Sequence, residues 1–104
     1  MTQENRWGLL PTLVGRSGIV HEFTEIVSVG NDMRVIDQLE YEADENDILR
    51  LYLKMLDVGI REAELKVPGI TEQASKLATM YNIKVTIVGR ASTALTRSRD
   101  QTIY

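Results

Sequence analysis

The stretch EAELKVPGITEQASKLATMYNIKVTIVG, Glu62 to Gly89, decides the fold. Ala63, Leu65 and Val67 alternate with polar residues, the two-residue period of a strand with one face inward, and Pro68-Gly69 ends it. Thr71 is placed to cap a helix. Ile70, Ala74, Leu77, Ala78 and Tyr81 recur at helical spacing, and Asn82 closes the run. Ile83 to Val88 is rich in β-branched residues and reads as a second strand that Gly89 ends. Two strands joined by a helix pair in parallel through a right-handed crossover.

Working outward, Asp44 to Asp47 supplies acids for the first turn of another helix, where they complement its dipole. Ile48, Leu49, Leu51, Tyr52, Met55, Leu56 and Val58 give that helix a broad apolar face, and Gly59 is its terminator. Residues 19–29 alternate, with Ile19, His21, Phe23, Val27 and Val29 on one face and Glu25 among them. Gly30-Asn31-Asp32 is a turn. Residues 33–41 alternate again, with Met33, Val35, Leu39 and Tyr41 on one face and Asp37 among them. The two runs predict an antiparallel hairpin. Residues 5–14 contain Gly8 and Pro11 and read as a short turn or irregular lead-in, followed by a loop at Gly15-Arg16-Ser17-Gly18. The expected fold is α/β: a small mixed sheet, an N-terminal β-hairpin followed by α-β-α-β, and helices packed on the sheet. Residues 1–89 form one domain in this reading, and 90–104 a polar, partly basic tail without order of its own.

Composition narrows the chemistry. The chain has 104 residues, 43% hydrophobic and 26% charged, which suits one modest core. It has no Cys, so disulfides and thiolate metal sites are excluded, and a single His excludes a multi-histidine site within one chain. No apolar run approaches the about 18 residues of a membrane span, and the first residues lack the pattern of a secretory signal. These features give a cytoplasmic reading with no membrane partner. The net charge of −3 argues against a protein that coats nucleic acid. Acids crowd residues 37–47, while Lys84, Arg90, Arg97 and Arg99 follow without acids between them. That dipolar layout would let copies of the chain pair with one another.

Glu25 and Asp37 are the strongest metal candidates, since both interrupt an apolar alternation and two inward carboxylates would need a cation between them. Glu22 and Glu40 stand close by in sequence. Glu64-Leu65-Lys66 sets an acid two residues before a lysine, but these charged residues share the polar face of a strand and read as solvated. His21 reads as structural, and Ser17 lacks the partners of a hydrolase triad. Tyr52 and Tyr81 read as core. Arg16, Arg90, Arg97 and Arg99 are the candidates for contact with a nucleic-acid backbone.

The run Gly15-Arg-Ser-Gly-Ile-Val-His-Glu-Phe23, the hairpin after it, Leu49-Arg-Leu-Tyr-Leu-Lys-Met-Leu-Asp-Val-Gly59 and Val67-Pro-Gly-Ile-Thr-Glu-Gln-Ala74 together resemble the small restriction-endonuclease-like domains of archaea and bacteria. These belong to the PD-(D/E)xK superfamily, near its Mrr-like branch. The resemblance covers roughly residues 14–88. It implies a magnesium ion held between two acids on neighbouring strands, with a Lys two residues after the second acid that helps activate water. The first acid's position is Thr24 here, the second is Asp37, and the Lys position is Leu39. Two of the three chemical positions therefore depart from the pattern.

Three functions follow as expectations. The first is a non-catalytic nuclease-fold module acting in protein assembly or nucleic-acid contact, without a cofactor. Its partners would be another copy of itself, DNA or RNA, or a larger protein complex. The second is a magnesium-dependent endonuclease with a rearranged site built from Asp37, Glu25 and Glu22. The third is a small α/β binding protein unrelated to nucleases.

Overall fold

The computed structural model describes residues 10–89. Along them run β1 (Thr12–Val14), β2 (Val20–Glu22), β3 (Glu25–Val29), β4 (Asp32–Gln38), α1 (Glu45–Val58), β5 (Glu62–Val67), α2 (Glu72–Met80) and β6 (Ile83–Ile87). The main sheet has the order β3-β4-β5-β6. β3 and β4 are antiparallel, and β4, β5 and β6 are parallel. The α/β reading and the parallel strand-helix-strand unit are thus observed. The expectations for residues 1–9 and for the tail 90–104, including Trp7, Arg90, Arg97 and Arg99, lie outside the described residues. Among the described residues no helix is long and apolar enough to cross a membrane.

Local chemistry sets the element ends. The Asp47 backbone N–H donates to Asp44 Oδ1 at 3.2 Å, and Asp47 Oδ2 accepts from the Asp44 N–H at 2.9 Å, a reciprocal cap that starts α1. Gly59 ends it at φ 76°, the left-handed region that favours glycine. Thr71 Oγ1 accepts from the Ala74 N–H at 3.2 Å and starts α2.

The core lies between the sheet and the two helices. Val35, Ala63, Leu65 and Val67 point from one face of the sheet onto Ile48, Leu51 and Met55 of α1 and Ala74 and Ala78 of α2. Tyr52 and Tyr81 are half-buried and stack at 4.0 Å between ring centres, 8° from parallel, where the helices meet. The far face carries Arg34, Glu62, Glu64 and Lys66. Glu64 accepts from Thr86 Oγ1 at 2.6 Å, and this bond, helped by Lys84, Lys66 and Arg34, holds its carboxyl below the usual range. The E-x-K triplet is therefore part of a charged strand face.

One expectation is corrected. Residues 19–29 do not form one strand opposite residues 33–41. Only β3 pairs with β4; β2 pairs with β1, which lies in the stretch read as an irregular lead-in. The break falls at Phe23-Thr24. Phe23 turns fully into the core and its N–H donates to Pro11 O at 3.0 Å. Thr24 leaves the ladder: its N–H donates to Asp37 Oδ1 at 3.0 Å and its Oγ1 accepts from the Gln38 N–H at 3.0 Å. The period-2 pattern continues through this bend in the sequence, but the facing of the side chains flips there.

Candidate functional site

The flip decides which acids can meet. Glu25 stands opposite Ile36 in the β3–β4 register, so the two share a face, and Asp37 points to the other. Glu25 and Asp37 are not brought together, against the expectation of a shared inward face. Glu22 lies on β2 with its side chain exposed. Among the described residues no three His, Asp or Glu side chains converge as metal ligands.

Asp37 has another partner. The apolar arc of α1 is bordered on one side by Lys54 and Asp57, one turn apart, and both reach toward the β1–β2 hairpin. Lys54 Nζ donates to Asp37 Oδ2 at 3.1 Å and to the Glu22 carbonyl oxygen at 2.6 Å. It also sits 4.4 Å above the centre of the Phe23 ring. Only about a fifth of either side chain is exposed, 21% for Lys54 and 18% for Asp37. Asp37 Oδ1 is taken by the Thr24 N–H. A cation's charge and a cation's oxygen partners are thus assembled from the chain's own atoms.

Leu39, at the position where the resemblance would place a lysine, instead packs half-buried against the core, and its N–H donates to Lys66 O at 3.0 Å. The Lys54–Asp37 pair borders an open hollow of about 550 Å³ between the hairpin and the sheet, with His21, Thr24 and Gln38 among its polar lining and Val20 and Leu39 among its apolar lining. It opens at the carboxyl end of β4, the end of a parallel strand at which α/β proteins place their sites. A hollow of similar size, about 540 Å³, lies at the other end of the sheet between Asn31 and Glu62 and holds no comparable convergence of paired side chains.

Beside this pair stands a second cluster. Asp57 accepts from Ser17 Oγ at 2.6 Å and from the Ser17 N–H at 2.9 Å, and His21 Nε2 lies 2.7 Å from Asp57 Oδ2. The Ser17 and His21 bonds lower the Asp57 carboxyl to about 2. An ionised carboxylate only accepts, so His21 Nε2 carries the proton in this contact. Ser17 Oγ is bonded to the acid and not to the imidazole. That order lacks the base a nucleophilic serine needs, and it fits a clasp between the hairpin and α1. Arg16 belongs to the same loop, and its N–H donates to the Asp57 carbonyl at 2.8 Å.

Sequence reasoning missed Lys54 and Asp57 as site residues. The signal was present: both are charged residues on the margin of an apolar helix arc, three positions apart, so both lie on one flank.

No known family's sequence profile matches the chain, and no curated protein matches it. The chain is similar in structure to a protein of unknown function, AF1548, with a TM-score of 0.65 and 16% sequence identity. The match covers 78% of this chain and 50% of that one, so the chain spans about half the length of AF1548. At that identity the likeness concerns the fold alone, and it places the mixed α/β arrangement in a known structural setting.

Proposed function

We propose that the chain is a non-catalytic, nuclease-fold binding module in which Lys54 occupies the place of the metal ion, and that it acts in protein assembly. One observation carries this reading: the Lys54 ammonium is bonded to Asp37 Oδ2 and to the Glu22 carbonyl, so the Asp37 carboxylate is already neutralised. Thr24, where the resemblance expects the first acid, accepts the Gln38 N–H at its hydroxyl oxygen and brings no charge. Leu39, where it expects the lysine, brings none either. An ammonium anchored at two oxygens neither generates hydroxide nor bridges a phosphate to a water, the two services a divalent ion supplies. Assembly is favoured over nucleic-acid contact because acids outnumber bases over residues 10–89 and because helix α1 exposes leucines on its outer side.

The test is titration with magnesium and with manganese by calorimetry, on wild type and on Asp37→Ala, with a nuclease assay on the same samples. Neither protein should bind either ion or cut. Metal-dependent cleavage by the wild type that Asp37→Ala abolishes would replace this reading with that of an active nuclease.

A further inference from the structure

Strand β6, Ile83-Lys-Val-Thr-Ile87, is an edge of the main sheet. β5 pairs with one side of it, and among the described residues nothing pairs with the other. One bond fixes where its backbone groups point: the Val88 N–H donates to Val67 O, at the end of β5, at 2.9 Å. Successive residues of a strand aim their N–H and C=O groups to opposite sides. Lys84 and Thr86 therefore bond to β5, and Ile83, Val85 and Ile87 present theirs to the open edge. Helix α2 does not screen that edge, since Val85 is only half-buried and Ile87 is 59% exposed. Edge strands are blunted by a proline, a bulge or an inward charge. β6 has none of these: its register with β5 is unbroken, and Lys84 lies on the far face beside Glu64.

We propose that this edge joins β6 of a second copy, antiparallel about a twofold axis at Val85, so that the two main sheets become one. The sequence of β6 selects this occupant. Ile-Lys-Val-Thr-Ile alternates apolar and polar identically in both directions, so an antiparallel copy matches it row for row. Ile83 of one copy pairs with Ile87 of the other, and Val85 with Val85. These are the residues whose N–H and C=O groups face the edge, so each pair exchanges both backbone bonds. Lys84 stands directly opposite Thr86 of the other copy. Thr86 Oγ1 is bonded to Glu64 Oε2 at 2.6 Å, so the Lys84 ammonium comes beside the other copy's Glu64 carboxylate, and the twofold axis repeats this contact. The alternatives are worse. An axis at Lys84 sets Lys84 against Lys84, and an axis at Thr86 leaves Ile83 unpaired. A parallel twofold pair would turn one copy over and run its apolar row into the other's charged face. The opposite edge of the sheet is not self-complementary: an antiparallel pair of β3 about Val27 opposes Glu25 to Val29. Pairing at one short edge falls below the about 800 Å² per partner of a standard interface, so the dimer is reversible on dilution.

This inference rests on the reading of the chain as an assembly module, and the two fail separately, because ion binding reports on the Asp37 site and sedimentation on the β6 edge. The experiment is sedimentation equilibrium of wild type and Ile87→Pro across a wide concentration range, with circular dichroism on both. The Ile87 N–H faces the open edge, so a proline there takes no bond from β5. Wild type should be dimeric at high concentration, and Ile87→Pro should weaken dimerisation at least about tenfold with an unchanged spectrum. Hydrogen exchange on wild type reads the edge directly. The Val85 and Ile87 amides should exchange fast in dilute solution and slow as the dimer forms, while those of Lys84 and Thr86 stay slow throughout. The chain has no Cys, so single cysteines report the register. A mixture of Lys84→Cys and Thr86→Cys should form a disulfide on oxidation, because the two positions are directly opposite. Lys84→Cys alone should not, because its equivalents lie on a diagonal at about 7–8 Å, beyond disulfide reach. A monomeric wild type at every concentration, a dimer indifferent to Ile87→Pro, or self-linking of Lys84→Cys would each overturn the proposal. Val85 and Ile87 amides already slow in the monomer would also overturn it, by giving the edge to another stretch of the same chain.

Discussion

Asp57 and His21 meet at 2.7 Å, Nε2 to Oδ2, across the seam between helix α1 and the β1–β2 hairpin. Each strand of that hairpin is three residues long and pairs as a strand with the other alone, and a lone two-stranded hairpin is marginal in water. Leu13 packs on the core, but Asp57 holds the hairpin through Ser17 and His21, so the ionisation of Asp57 matters to it. The Asp57 carboxyl is lowered to about 2 from 3.8. A depressed folded-state value means that the contribution is complete above the unfolded value. It shrinks as pH falls from about 4, and it is gone once the folded carboxyl is protonated near pH 2. Thermal melts of wild type and Asp57→Asn should therefore differ at pH 6 and converge as the pH is lowered through that window. A constant gap between the two curves would show that the clasp does not depend on this charge.

Gly15 tests the same clasp sterically. A Cβ at Gly15 would stand 2.0 Å from Asp57 Oδ2 and 2.3 Å from its Cγ, closer than any real contact. Asp57 would have to swing away and surrender Ser17 and His21. Gly15→Ala should destabilise the protein by about 1–3 kcal/mol, the range for overpacking a fitted site. The damage should be local. Hydrogen exchange should speed at residues 12–14 and 20–22 and leave β4, β5 and β6 protected. Uniform loss of protection across both sheets would refute a separable hairpin.

Lys54→Met removes the cation and leaves Asp37 with the Thr24 N–H alone. The two side chains are mostly, not fully, buried, so the loss falls between that of an exposed pair and that of a buried one, about 1–3 kcal/mol in urea unfolding. Asp37→Asn in the same background should recover part of it, because the uncompensated charge is then gone. A double-mutant cycle with no coupling would mean that the 3.1 Å contact contributes nothing to stability.

What could be read from the sequence divides along physical lines. The segments with local rules came through: Asp44, Thr71 and Gly59 cap helices as their side chains and backbone dictate, and Ala63, Leu65 and Val67 are buried as their period required. Gly30 likewise takes φ 61° at the β3–β4 turn. The misreadings arose where a long-range contact overrides a local pattern. The alternation from Ile19 to Val29 is interrupted only by Glu25, yet Phe23 is drawn into the core and Thr24 is held by Asp37, so the two halves face different ways. Leu49 and Leu56 look like core in a helix wheel drawn too wide, and only the position of the sheet separates them from Leu51 and Met55. Lys54 was hidden for a related reason: its partner is 17 residues away in sequence, on another element.

That same geometry predicts how a metal site could be restored. Position 24 lies opposite Asp37, as the paired contacts of the Thr24 N–H and Thr24 Oγ1 show. Thr24→Asp puts a second carboxylate there, and one of its oxygens can still accept the Gln38 N–H. With Lys54 in place the ammonium would bridge the two carboxylates, and the site would stay closed to a divalent ion. Thr24→Asp combined with Lys54→Ala leaves two carboxylates and the Glu22 carbonyl facing an emptied position. Hard oxygen donors of that kind suit magnesium or manganese, and so few ligands should hold the ion weakly, with a Kd of about 0.1–1 mM. Calorimetry on the two variants should show binding only in the double variant. Binding by Thr24→Asp alone would mean that Lys54 yields to a metal and does not act as its replacement.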